Sequence, residues 1–149
     1  MKVRLSRVSG PRPRWMDAAW RRRVQRAAAG VGRRGDAVNL VLVDDREMRR
    51  LNRRYRGKDK PTDVLSFGYD EHPDDDVVGD VFVSVETLLR DAKRLNVAAR
   101  HHAVRIVVHG LLHVAGYDHE SDAQAARMER REYLALKRVL PERVVRELF

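Results

Sequence analysis

The amino-acid sequence predicts an α+β fold, a small sheet of about four strands covered by about five helices. Three observations carry that expectation. The chain has 149 residues, 43% of them apolar, which suits one compact core, so residues 1–149 are read as a single domain. Short runs rich in β-branched residues alternate with longer amphipathic stretches, the mark of mixed strands and helices. Caps and breakers fall between them, and no repeat or flexible linker interrupts the series.

The first segment, KVRLSRV, alternates weakly and reads as a short strand. RPRWMDAAWRRRVQRAAAG follows as a helix, with Pro13 suited to its first turn and Gly30 to its end. AVNLVLV is a strand by its β-branched content, and DDREMRRLNRRYR is a helix opened by Asp44 and Glu47 at capping-box spacing. Beyond the turn signal GKDKPTD, VLSFG is a short strand. The acidic loop YDEHPDDD leads to VVGDVFVS, a further strand, and Ser84 can cap the helix VETLLRDAKRLN. Val104, Val107, Val108, Leu111, Leu112 and Ala115 lie on a wide stripe at helical spacing, which predicts a largely buried helix over 98–115. Gly116 can end it at positive φ. Ser121 with Gln124 makes a second capping box, opening a helix that runs to about Leu140, ahead of Pro141.

Charge is unevenly spread. Residues 1–60 hold 19 Lys and Arg against 6 Asp and Glu, and the remainder 12 against 16, within a net charge of +9. Such a field attracts nucleic acid through release of condensed counterions, although a solvated basic surface gives the same composition. The absence of cysteine removes disulfides and thiolate ligands, so any metal must be held by imidazole and carboxylate. No apolar run approaches the roughly 20 residues needed to span a bilayer, and the first residues lack the apolar stretch of a secretory signal. A soluble, cytoplasmic protein is expected, with no membrane partner.

The segment HGLLHVAGYDH, residues 109–119, carries the chemistry. Residues four apart on a helix share a face, so His109 and His113 can present two imidazoles to one ion. Gly116 lets the chain reverse, and His119 can swing back as a third ligand. Three neutral nitrogens with one position left open are the layout of a catalytic zinc site, with about one ion per chain. Zinc is favoured by the all-imidazole set, and nickel, copper and iron stay open. His101 and His102 lack a third partner and His72 lies in the acidic loop, so these three are read as surface or packing residues.

The histidines and the glycine match the zinc-binding stretch of the metzincin proteases, so the site is zincin-like. Those enzymes place a glutamate after the first histidine as the base that activates water, and here that residue is Gly110. Either another carboxylate takes the role, or a metal-activated water attacks with little side-chain help. Asp118 and Glu120 flank the third ligand and could orient a histidine or relay a proton. Peptide hydrolysis becomes the weaker reading.

Together with LNRRYRGKDKPTDVLSFG (51–68) and GDVFVS (79–84), this stretch resembles the signature segments of the YbeY family of metal-dependent endoribonucleases. The likeness runs over roughly residues 38–140. Gly68 and Tyr69 depart from it, standing where a proline-led segment is common. The resemblance implies His109, His113 and His119 as metal ligands and Arg56 of YRGKD as the functional arginine of the cleft, making Arg56 and His113 the candidate catalytic residues. It also implies the substrate, single-stranded RNA and in particular the 3′ end of small-subunit rRNA, with roles in rRNA maturation and ribosome quality control and the small ribosomal subunit as partner. Thr62 and Ser66 bracket the start of a strand whose edge can border a cleft, and are the candidate RNA contacts beside Arg56; Gly79 and Asp80 are read in the same way, against a plain bend before a strand. Two other functions remain in view, a metallo-peptidase-like hydrolase and a non-catalytic ribosome assembly factor whose metal is structural.

Overall fold

The computed structural model describes residues 1–70 and 76–149. Its sheet has four strands, β1 (Lys2–Arg7), β2 (Ala37–Val43), β3 (Val64–Gly68) and β4 (Val77–Ser84), in the order β1-β2-β4-β3. β1, β2 and β4 run parallel, and β3 returns antiparallel on β4. β2 is central and buried along almost its whole length, which is why AVNLVLV reads as a nearly continuous apolar run instead of alternating.

Six helices accompany the sheet among the described residues: α1 (Ala18–Ala28), α2 (Asp45–Arg56), α3 (Val85–Leu95), α4 (Ala99–Val114), α5 (Asp122–Lys137) and α6 (Glu142–Glu147). One face of the sheet, with Val38, Leu40, Leu42, Val81 and Val83, joins the large core under α1, α4 and α5. The other face places Val41, Val43 and Leu65 against Met48 and Leu51 of α2. α4 is the hub. It packs on β3, β4, α1, α3 and α5, and Val104, Val108, Leu111 and Leu112 are among its fully buried residues.

Local chemistry accounts for most boundaries. Ser121 accepts from the Gln124 amide while the Gln124 side chain reaches back, so the capping box expected for α5 forms on both sides. The one expected at α2 forms only half. Asp44 accepts from the Glu47 amide at 2.8 Å, but the Glu47 carboxylate turns to Arg50 and the Asp44 amide donates to Ser9 Oγ instead. α1 starts later than Pro13, because Asp17 provides the cap by accepting from the Trp20 amide at 2.9 Å. Pro13 sits in the preceding turn, its carbonyl bonded to the Met16 amide. Pro141 does more than stop α5. It opens α6, a short helix beyond the last expected element, which buries Val144 and Val145.

Candidate metal centre and cleft

α4 sets two of the three histidines. His109 and His113 stand one turn apart with ring centroids 4.7 Å apart, and their Nε2 atoms converge to 3.1 Å. Gly116 then takes a φ of 99°, a conformation a β-carbon would disfavour, and turns the chain back. The reversal is pinned by Tyr117 N donating to Leu112 O and Gly116 N to His113 O. It brings the His119 ring to 5.0 Å from His113 and 5.9 Å from His109. One nitrogen from each ring lies within 4.8 Å of the others.

The donor set fits a zinc-like ion. Nitrogens bound tetrahedrally at about 2.0–2.1 Å lie about 3.4 Å from one another. The α4 pair is already at that spacing, and the exposed His119 is the member free to close on them. His113 is also held toward the form a metal needs. Burial first, and then the neighbouring His109 and His119, hold His113 below the usual histidine range, which favours the neutral ring.

Sequence reasoning missed the group behind His109. Glu132 of α5 is only 4% exposed, and its carboxylate bonds His109 Nδ1. That contact fixes the ring with Nε2 toward the other histidines. The second Glu132 oxygen lies 3.4 Å from Arg105 Nε, and the Arg105 guanidinium stacks 3.9 Å from the centroid of the Phe149 ring. A signal existed: Glu132 lies one turn from Met128 and one from Leu136, inside the buried stripe of α5. A lone carboxylate in such a stripe requires a buried partner.

Gly110 faces the sheet. A β-carbon there would lie 2.6 Å from Val81 Cγ1 and 3.0 Å from Ser66 Oγ, so this position lets α4 lie close on β3 and β4. Any side chain on it would be driven into the core and away from the histidine nitrogens. The missing glutamate of the protease pattern is therefore a packing requirement of this fold.

The histidines line one wall of a cleft of about 640 Å³; Asp63 to Ser66 of β3 and its approach line the other, with Arg56 at the rim. Arg56 donates to Ser66 O at 3.0 Å, and its guanidinium lies 5.5 Å from the Phe67 ring centroid, so an exposed arginine is held over the cleft. Ser66 lines the cleft and donates its hydroxyl to Gly110 O at 3.0 Å, tying β3 to α4. Thr62 is not part of the lining; its hydroxyl approaches Asp63 Oδ1 at 3.4 Å. Asp63, Asp118 and Glu120 are the carboxylates of the cleft. Gly79 and Asp80 lie apart from it. Gly79 gives room to Phe67 O and Val114, and Asp80 accepts from Asn39 Nδ2 and the Tyr69 hydroxyl. His101 and His102 are at the far end of α4, and His72 lies outside the described residues.

Known proteins resemble this chain in sequence and in fold. The family model for endoribonuclease YbeY matches residues 14–140. A curated protein named endoribonuclease YbeY from Anaeromyxobacter sp. is 45% identical over 85% of this chain and 67% of its own length. One of the same name from Moorella thermoacetica is 44% identical over 73% of this chain and 77% of its own. The solution structure of TM1509 from Thermotoga maritima superposes with a TM-score of 0.63 at 28% identity, covering 92% of this chain and 88% of that one. With a match that takes in strands β2 to β4, Arg56 of α2 and all three histidines, this chain belongs to the endoribonuclease YbeY family.

Proposed function

We propose that the protein is a zinc-dependent endoribonuclease specific for single strands, acting on the 3′ end of small-subunit rRNA during maturation and ribosome quality control. His109, His113 and His119 hold the ion, Arg56 meets the phosphate, and Ser66, with Thr62 further out, contacts the strand. The observation that carries the reading is the pairing of a three-imidazole cluster with a fixed guanidinium across one open cleft. Cleavage of a phosphodiester gathers negative charge on phosphoryl oxygens, which a metal on the imidazoles and the Arg56 guanidinium can stabilise. The ion, when bound, supplies Lewis acidity at such an oxygen.

RNA also brings its own nucleophile. If the 2′-oxygen attacks phosphorus as its proton passes to a cleft carboxylate or to water, and the 5′-oxygen leaves with a proton from water, no attacking water has to be activated beside His109, and a packed Gly110 carries no penalty. The product then ends in a 2′,3′-cyclic phosphate. A peptidase has no such internal nucleophile, and the burial of Gly110 against the sheet speaks against that use. No helix among the described residues is long and apolar enough to cross a membrane, which fits a cytoplasmic enzyme working on ribosomal particles.

The test incubates metal-loaded protein with single-stranded and duplex RNA, with and without chelator, alongside His113→Ala and Arg56→Glu. Cleavage of single strands, its loss on chelation and in both variants, and cyclic phosphate ends are expected. Arg56→Glu should keep its metal. Wild-type rates in His113→Ala would overturn the nuclease reading, leaving a binding role in ribosome assembly. Wild-type rates in Arg56→Glu at saturating substrate would remove the arginine from the chemistry.

A further inference from the structure

The outer face of α2 carries a second concavity of about 600 Å³, walled by Arg46, Arg49, Arg50, Arg53 and Arg54 and closed by Asp59. Helical spacing explains the assembly. Met48, Leu51 and Asn52 take the buried side, so the arginines at 46, 49, 50, 53 and 54 fall together on the opposite one. Arg49 pairs with Asp59 and Arg50 with Glu47, both as exposed two-pronged contacts. Among the described residues, Arg46, Arg53 and Arg54 form no salt bridge, Arg53 acting on Asp59 only from a longer distance. So much unneutralised guanidinium in one groove is a site for an anion with several regularly spaced charges.

The position of the groove selects which anion. α2 ends at Arg56, the rim of the metal cleft, only one turn beyond Arg53. Tyr55 is 54% exposed, and its contacts reach toward both: the Arg54 guanidinium of the groove lies 5.3 Å from its centroid, and its ring is 5.2 Å from Phe67, the ring under Arg56. A basic track about 12 Å long joined to an exposed aromatic ring is how proteins hold single-stranded nucleic acid without reading sequence. We propose that the arginine groove of α2 is an exosite for single-stranded RNA, with its guanidiniums on successive phosphates and Tyr55 stacking a base as the strand leaves the metal cleft. The inference rests on the nuclease reading for its substrate and adds to it a preference for long strands.

Two measurements separate the failure of one from the failure of the other. Binding is read by fluorescence anisotropy with a labelled long oligodeoxythymidylate, which has the phosphates and no 2′-hydroxyl, so cleavage is not required. Arg46→Gln/Arg53→Gln/Arg54→Gln should weaken it about tenfold or more and lower the salt slope by about 2, at about 0.7 per single-strand phosphate contact. The control Arg22→Gln/Arg130→Gln/Arg143→Gln removes the same three charges at exposed positions elsewhere and should change affinity less than about threefold. Tyr55→Ala should cost several-fold and Tyr55→Phe nearly nothing. Equal loss in the groove and control variants would reduce the groove to bulk charge and overturn the exosite, as would tighter binding of an acidic glutamate peptide than of the oligonucleotide. Cleavage is then compared on a tetranucleotide and a long oligouridylate. The groove variant should lower the ratio of long to short kcat/KM about tenfold. A wild-type protein that binds through the groove but cleaves neither RNA sinks the nuclease reading and leaves the groove standing.

Discussion

His109 and His113 and their partner His119 reach the same point by different physics. The first two are half-buried on a helix packed on five elements, with their Nε2 atoms already 3.1 Å apart. His119 is exposed on the short loop from α4 to α5. Its place is set by the left-handed Gly116, by its own amide donating to Asp118 Oδ1 at 2.8 Å, and by the capping box of Ser121. The difference teaches where precision comes from. α4 supplies a preorganised pair at no further ordering cost, whereas His119 gives up loop freedom when it closes on an ion.

The comparison breaks most completely if the rigid pair is removed. His109→Ala/His113→Ala should leave the fold intact and take metal content from about one ion per chain to near zero, because one imidazole cannot hold it. His119→Ala should keep a weakened two-imidazole site. Metal analysis after dialysis at matched free zinc distinguishes them; full occupancy in the double variant would put the ion elsewhere.

The next effect tests whether α4 is preorganised by its own packing or by Glu132. Glu132→Gln keeps shape and a hydrogen bond but removes the charge that favours the Nδ1–H form of His109. Affinity for zinc should fall about 10–100-fold, read by competition with a chelating dye. An unchanged affinity would assign the orientation of the ring to packing alone.

Two glycines give a smaller and more pointed contrast. A β-carbon at Gly110 meets Val81 Cγ1 at 2.6 Å, whereas at Gly116 it meets open space. Gly110→Ala should therefore cost about 2 kcal/mol of stability, overpacking less the helix propensity gained, and shift both helix-borne histidines together. Gly116→Ala should cost about 1 kcal/mol, through its φ alone, and move His119 only. Denaturation midpoints with metal affinity on the same samples separate the two. Equal costs would mean that α4 yields where the packing says it cannot.

Much of this site was legible because its determinants are local. Two histidines four apart on an apolar stripe, a glycine and a third histidine are fixed by helical geometry and one turn. The same holds for the central strands, where β-branched runs mark burial. What the sequence did not disclose depends on contacts between distant segments. Gly110 reads as a missing base until β3 and β4 are seen beneath it, and Glu132 reads as one more charge on a charged helix until α5 lies against α4. The pairing order of the strands is set by how the segments cross, which no local pattern encodes. α6 escaped because six residues are too few to show a helical period beyond Pro141.

The smallest expected effect concerns the far end of α4, where His102 is buried as deeply as the apolar residues around it. It is 6% exposed, and its Nε2 has no hydrogen-bond partner among the described residues. Burial pushes its pKa below the usual 6.5, and the positive Arg105 and Arg94 add to that, while Asp63 and Asp91 oppose it without prevailing. The sign follows from linkage. Below 6.5 the unfolded chain takes up a proton at this residue that the folded protein excludes, so stability is complete above that pH and declines as pH falls toward the folded value. His101 and His113 are shifted the same way and contribute slopes of their own, so the informative quantity is a difference. His102→Leu removes one titrating group and the unpartnered nitrogen together. Urea denaturation from about pH 8 to about pH 5 should show the variant losing less stability than the wild type over the acidic half of that range. Parallel curves would mean that His102 is protonated alike in both states and that this end of α4 is open to water, in which case the rigidity credited to the helix belongs only to the turns that carry His109 and His113.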